Sequence, residues 1–432
     1  MLVAFDGFEG TSVYKREKYL VKTQWMKKRY IEQLQVKRLK SLLKYAYENV
    51  PYYNRAFKEA SFEPSMFGCL EDLQRVPILK RSAISKNLDE LRVKSCSEEL
   101  FSWSTSGTTA VPISFYKTKT DLSWGLAAEL RAYGWAGYKA GDKLAVVWRI
   151  HEQGLKLQLR NLLKRAKIFD VHTISEKSME MFAKKMHRFQ PKFLRGYAGS
   201  TNLFATFLEQ NEHFKIQPEA VFTSAQTLRP HYRKNIEKAF NCRVYDCYGT
   251  NEVYFVAGQC GEHEGLHVAE ENIFLEVVND NEHVSAGEEG HILLTNLHSF
   301  AMPFIRYDIG DLGKIFPEIC SCGRELKLVK PIGRSYEYFL NSDGSFTFLK
   351  DFNTFFEDIP IRDFQVVQES YDRITIRIAP KPGYNEHHSE LISKHIKLRG
   401  PAEIQIELVN SIAPGKSGKI QHVISKVPTK YT

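Results

Sequence analysis

Apolar residues recur at helical spacing through 15–48, where Ile31, Leu34, Leu39, Leu42 and Leu43 are set among lysines and arginines. That spacing predicts amphipathic helices. Pro51 interrupts the run, and 76–91 reads as a loop with a serine cap leading into a short helix. From about 100 to 330 the pattern changes to short apolar runs at 143–148, 166–171, 220–225, 242–249, 273–278 and 290–295. Helical patterns at 121–136, 176–188, 200–211 and 228–240 fall between the first of these. The alternation predicts a large α/β core of mostly buried strands, turning more antiparallel near 265–315. Two half-buried strands at 363–370 and 373–379, a helix near 386–398 and a strand at 403–409 then predict a small α+β unit, mobile relative to the core. The expected division is a helical region over 1–100, an α/β core over 101–334 and the small unit over 335–432.

The chain has 432 residues, 43% of them hydrophobic, which is enough apolar surface for folded domains and excludes a disordered or collagen-like chain. The length favours two or three domains. No apolar run approaches the ~18 residues of a membrane span. The start, MLVAFDGFEG, lacks the basic-then-apolar order of a signal peptide, so a cytoplasmic protein is expected. Seven cysteines, an odd and sparse set, predict reduced thiols rather than a disulfide framework. A net charge of +9 is modest for this size, and no nucleic-acid partner is expected. Two local stretches are more basic. Residues 15–48 hold eleven Lys/Arg against three Glu, which suits a solvated helix face or, in a different class of function, a binding surface for nucleic acid or membrane. Residues 155–169 are basic and amphipathic, suiting a helix packed on the core or a peripheral contact with an anionic membrane.

Candidate chemistry begins at Ser104-Thr105-Ser106-Gly107-Thr108-Thr109, six small or hydroxylated residues whose amides and hydroxyls suit an oxyanion. Four further segments follow in order: Tyr248-Gly249-Thr250-Asn251-Glu252 at a predicted strand end, Arg306-Tyr307-Asp308-Ile309-Gly310-Asp311, Ile332-Gly333-Arg334-Ser335, and the glycine-flanked lysines of Pro414-Gly415-Lys416-Ser417-Gly418-Lys419. Separately, Cys320 and Cys322 form a C-x-C turn, and Cys260 precedes His263 and His267. Three thiolates with one of these imidazoles make a tetrahedral Cys₃His zinc set; isolated thiols are the alternative.

Those five segments, in that order and spacing over roughly 50–425, resemble the adenylate-forming superfamily, in particular its phenylacetate–CoA ligase-like branch. The resemblance implies a multi-layer α/β fold with a large N-terminal domain and a small C-terminal α+β lid. It implies an ATP-dependent, AMP-forming ligase that converts a carboxylic acid to an acyl-adenylate and passes the acyl group to a thiol such as CoA, or to an amine. By the same resemblance Ser104, Thr105, Ser106, Gly107, Thr108 and Thr109 close over the phosphates, while Ser224 and Ala225, with Gln226, line the adenine. Tyr248 stacks on that ring within the segment Gly249, Thr250 and Asn251. Glu252 holds Mg²⁺, Asp311 binds the ribose, Arg334 contacts ribose or phosphate at the hinge of the lid, and Lys419 approaches the carboxylate and α-phosphate. The branch's Cys-x₆-His spacing selects His267, with Cys260, Cys320 and Cys322, as a structural zinc set. Attack of a carboxylate on a phosphate brings like charges together, so this chemistry depends on positioning and charge neutralisation.

Three departures stand out. Ala110-Val111-Pro112 replaces the usual Gly-Lys-Pro, Asn251 replaces Ser or Thr, and Tyr336-Glu337 replaces an acidic hinge pair. They leave open a degenerate ligase fold that binds nucleotide without turnover. Substrate-pocket residues are expected near 133–138 and 195–200.

Overall fold

The structure is a computed structural model that describes residues 2–104, 113–150, 154–171, 174–262, 265–334, 338–340, 346–348, 356, 359–395, 403–414 and 420–427. Thr105, Ser106, Gly107, Thr108, Thr109 and Lys419 therefore lie outside the described residues.

Six helices come first: α1 (Leu2–Glu9), α2 (Val13–Thr23), α3 (Lys28–Asn49), α4 (Pro51–Glu59), α5 (Arg81–Lys86) and α6 (Leu88–Leu91). Helix α3 buries Ile31, Gln35, Leu39, Leu42, Leu43 and Ala46 and turns its lysines outward. Each fully buried leucine there contributes about 1.5–3 kcal/mol. The basic stretch 15–48 is thus the solvated side of core-packed helices. The serine cap expected in 76–91 does not form. Helix α5 starts after Lys80 without a side-chain cap, because Leu79 enters it from a backbone bridge to Tyr307.

A hairpin of β1 (Phe101–Ser104) and β2 (Ser114–Lys117) leads into α7 (Lys119–Gly134). Then follow β3 (Leu144–Trp148), α8 (Leu155–Leu163), β4 (Ala166–Asp170), α9 (Glu176–Phe189), β5 (Phe193–Tyr197), α10 (Ala198–Gln210), β6 (Ala220–Ser224), α11 (Pro230–Phe240) and β7 (Arg243–Thr250). Strands β4, β3, β5, β6 and β7 lie side by side and parallel. Their inward faces are covered by α9, α10 and α11 on one side and by α7 on the other.

From β7 the sheet continues antiparallel through β8 (Tyr254–Gly258), β9 (Leu266–Val268), β10 (Ile273–Asn279), β11 (Glu282–His283), β12 (Glu289–Asn296), β13 (Tyr307–Ile315) and β14 (Leu328–Arg334). The whole forms twelve strands in the order β11-β10-β12-β13-β14-β9-β8-β7-β6-β5-β3-β4, and α3 and α4 pack on its antiparallel half. The switch from parallel to antiparallel pairing falls at β7–β8, a little before the expected point. Strand β5 was not anticipated, because Arg195 and Gly196 interrupt its apolar pattern.

A short hairpin of β15 (Tyr338–Leu340) and β16 (Phe346–Phe348) precedes the C-terminal unit. That unit is a four-stranded sheet of β17 (Ile361–Ser370), β18 (Arg373–Pro380), β19 (Glu403–Leu408) and β20 (Val423–Ser425), with α12 (Glu386–His395) and its own apolar core of Phe364, Val366, Ile374, Ile376, Ile378 and Ile392. Among the described residues no helix is long and apolar enough to cross a membrane.

Candidate active site

The parallel strands β5, β6 and β7 end side by side at Tyr197, Ser224 and Tyr248, and α/β sheets bind ligands at such carboxyl ends. Ala225, just past β6, adopts a left-handed φ of 65°, which a non-glycine residue reaches only at a cost. Gly249 is obligatory for packing, since a Cβ there would lie 2.3 Å from the Tyr254 carbonyl oxygen.

Tyr248, half-buried, donates its hydroxyl to Asp311 Oδ2 at 2.7 Å. Asp311 sits on β13 directly opposite Arg334 on β14, so the residues expected at adenine, ribose and hinge meet at one place. Ser104 is exposed at the end of β1, paired with Ser114, where the hairpin leads into 105–112. Thr250 Oγ1 accepts the Val253 amide at 3.2 Å, and Asn251 is exposed.

Glu252 is buried, and its Oε1 accepts hydrogen bonds from Tyr307 at 2.9 Å and Arg81 at 3.3 Å. Burial and the Glu252 carboxylate push the Tyr307 phenol up. Oε2 has no hydrogen-bond partner among the described residues, which leaves one carboxylate oxygen for a hard cation. Lys117 of β2 lies near this carboxylate with its ammonium 5.2 Å from the Trp103 ring, 5.6 Å from Phe115 and 5.7 Å from Tyr254. Burial pushes it down to about 8, with Asp121 and Glu252 opposing. Sequence reasoning missed both Arg81 and Lys117. Arg81 carries no local signal. Lys117 does: it takes the same face as buried Phe115 two residues earlier.

In the region expected for the acyl pocket, Arg195 Nη2 pairs with Glu129 Oε1 at 2.8 Å. Its guanidinium lies 4.8 Å from the Trp148 ring and 6.0 Å from that of Tyr133. The C-terminal unit reaches the same edge. Gln226 accepts the Gly199 amide at 2.9 Å and donates to the Ile420 carbonyl at 3.1 Å.

Cys260, His267, Cys320 and Cys322 converge, with all four ligand atoms within 4.8 Å of one another. Cys260 Sγ is 3.5 Å from Cys320 Sγ, and Cys322 Sγ is 3.3 Å from His267 Nε2. The cysteines are free thiols. Three sulfurs and one nitrogen at these separations fit a tetrahedral zinc with bonds of about 2.3 Å to sulfur and about 2.0 Å to nitrogen. His263 lies outside the described residues.

Residues 339–426 match the family described as the CapK C-terminal domain. The chain is 28% identical over 312 residues to the phenylacetate–coenzyme A ligase of Thermus thermophilus, covering 69% of each chain. It is 22% identical over 420 residues to protein CapK of Staphylococcus aureus, covering 91% of this chain and 89% of that one. These likenesses support kinship with the phenylacetate–CoA ligase-like branch of the adenylate-forming superfamily. The crystal structure of 2-hydroxyisobutyryl-CoA ligase in its postadenylation state with an acyl-AMP shares the fold, with a TM-score of 0.75 at 21% identity over 93% of this chain and 90% of that one. The strand ends described above, with the C-terminal unit beside them, are the candidate active site.

Proposed function

We propose that this protein is an ATP-dependent, AMP-forming ligase that activates a carboxylic acid as its acyl-adenylate and transfers the acyl group to a thiol such as CoA. The observation that carries the reading is the Tyr248–Asp311 pair at the strand ends, with the C-terminal unit docked beside it through Gln226 and Ile420. Tyr248 offers a ring face to adenine and Asp311 a carboxylate to the ribose hydroxyls. The 104–109 stretch supplies amides and hydroxyls for phosphate oxygens. Glu252 would hold Mg²⁺ through its open oxygen, and that ion's charge would neutralise phosphate oxygens. Arg334 is assigned to the hinge and Lys419 to the α-phosphate and carboxylate. Arg81 keeps the Glu252 carboxylate oriented, and Arg195 with Glu129 sets a polar floor for the acyl group. Cys260, His267, Cys320 and Cys322 are assigned a structural zinc, because four protein ligands leave no position for water.

The free cysteines suit a cytoplasmic setting. Helix α8 supports one further element. Its Leu155, Leu159 and Leu162 are 80%, 42% and 72% exposed, one apolar stripe at helical spacing facing away from the core, with Arg165 and Lys167 exposed nearby. That combination fits peripheral contact with an anionic lipid surface. Salt-sensitive co-flotation with phosphatidylserine vesicles, lost on Leu155→Ser/Leu162→Ser, tests it; no flotation ends it.

The main test is acid-dependent exchange of pyrophosphate into ATP across a panel of aromatic, aliphatic and hydroxy acids. AMP release with CoA, a carrier-protein thiol or a sugar amine then identifies the acceptor. ATP binding with no exchange on any acid would replace this reading with a nucleotide-binding relative.

A further inference from the structure

We propose that Tyr232, Asp363 and His422 form an interdomain latch that holds the C-terminal unit in the orientation used for adenylate formation. They are positioning residues for that half-reaction, and the assignment rests on the ligase reading above.

Tyr232 projects from α11 of the large α/β part and is fully buried. Its hydroxyl donates to Asp363 Oδ2 on β17 at 2.6 Å. His422, just before β20, brings Nε2 to 2.9 Å from Asp363 Oδ1 and 3.1 Å from the Tyr232 oxygen. Because the phenol proton is committed to Asp363, the Nε2 hydrogen is shared between Asp363 Oδ1 and the phenol oxygen. Burial, then the nearby Arg229 charge, hold His422 below the ordinary histidine value. Arg229, also from the large part and buried, lays its guanidinium 4.3 Å from the Phe364 ring. Each member of the triad thus satisfies a group on the other side, and each group is closed off from water only while the two parts are docked. A polar contact of this kind fixes one orientation, whereas an apolar face would tolerate sliding.

The triad also fixes a particular stretch of chain. The Ile420 carbonyl accepts from Gln226 Nε2 at 3.1 Å, the Gln421 carbonyl from Gln365 Nε2 at 2.8 Å, and the His422 carbonyl from the Val366 amide at 2.7 Å. Ile420 packs so closely on Gly199 that a Cβ there would lie 2.9 Å from its Cδ1. The three residues that follow Lys419 in sequence are therefore tied at once to the lid sheet and to the strand ends that carry the site. Any rotation of the lid must break the triad and the Gln226 bond together.

Tyr232→Phe keeps the ring and removes one donor, and His422→Ala removes the imidazole. Each variant is assayed in two halves: pyrophosphate exchange, and transfer to CoA from a synthetic acyl-adenylate. Exchange is expected to slow about 10-fold or more, the scale of a lost hydrogen bond to a carboxylate. Transfer is expected to stay within about twofold or rise. Hydrogen exchange of peptides 226–236 and 361–370 should accelerate, while β6 and β7 peptides keep their protection. Unchanged protection at 226–236 and 361–370, or equal loss of both half-reactions, overturns the latch. Absence of exchange in the parent chain overturns the ligase reading instead, and the protection measurement still decides the latch.

Discussion

Replacing Lys117 with methionine removes a cation from the interior of the site while keeping an unbranched side chain of similar size. In the parent the ammonium side chain belongs to a residue only 3% exposed, ringed by Trp103, Phe115 and Tyr254. Burial lowers it from 10.5 to about 8 against the pull of Asp121 and Glu252. At about 1.36 kcal/mol per pH unit, that gap amounts to about 3 kcal/mol of stability forgone when the lysine is charged. The unfolded chain holds the proton up to 10.5 and the folded chain only up to about 8. The penalty is therefore complete below 8, and stability rises with pH between the two values. Lys117→Met should accordingly stabilise the nucleotide-free protein by about 1–3 kcal/mol at pH 7. Its advantage should shrink as pH passes 8 and the parent sheds its charge. Urea unfolding followed by circular dichroism at neutral pH and between 8 and 10.5 measures both quantities. A variant less stable than the parent at pH 7, or an advantage that grows with pH, would refute the reasoning.

Tyr248→Phe removes the bond to Asp311 and should raise the KM for ATP about 3–10-fold with a smaller effect on kcat, read by pyrophosphate exchange. Cys320→Ser should reduce zinc from about one per chain to none by elemental analysis and lower the thermal midpoint, since structural zinc contributes directly to folding. Glu271→Gln breaks the wholly buried pair with Arg131, where both side chains are 0% exposed and the two carboxylate oxygens lie 2.8 Å from Nη1. Leaving that arginine uncompensated should cost about 3–5 kcal/mol in denaturant unfolding.

The parts of this fold that could be read from sequence are those whose apolar pattern is continuous. Strands β3 and β6 are largely buried and appear as the apolar runs Leu-Ala-Val-Val-Trp and Ala-Val-Phe. Strand β5 is equally central, yet its Arg195 pairs with Glu129 across to α7, and Gly196 has no room for a side chain because a Cβ would lie 2.2 Å from Thr201 Oγ1. Those two residues, placed by an ion pair and by close packing, break the pattern that would reveal the strand. The Cys320-x-Cys322 turn announced its cluster because thiols at that spacing have few other uses. Arg81, Lys117 and the Tyr232–Asp363–His422 triad had no such signature: each acquires its role only when segments far apart in sequence are brought together. Residues 155–169 do yield the expected amphipathic helix, α8 over Leu155–Leu163, but its Leu155, Leu159 and Leu162 are exposed, an orientation that the pattern alone does not give.

The cysteine cluster ties the β13–β14 connection to strands β8 and β9. Cys260 follows β8, His267 lies in β9, and Cys320 and Cys322 occupy the connection from β13 to β14. Strand β13 carries Asp311 and β14 ends at Arg334, beyond which the chain leaves for the C-terminal unit. Two residues past Cys322, Arg324 lies 4.5 Å from the ring of Trp25, which follows α2, and 4.8 Å from that of Trp135, which follows α7. Trp135 in turn meets the His267 ring edge-on at 5.4 Å. The N-terminal helices and the antiparallel half of the sheet thus converge on one knot at the loop end of the β13–β14 hairpin, away from the Asp311–Arg334 end. A metal held there would pin the loop end of the β13–β14 hairpin, whose other end carries Asp311 opposite Arg334. Zinc loss should therefore slow both half-reactions together, whereas latch loss separates them.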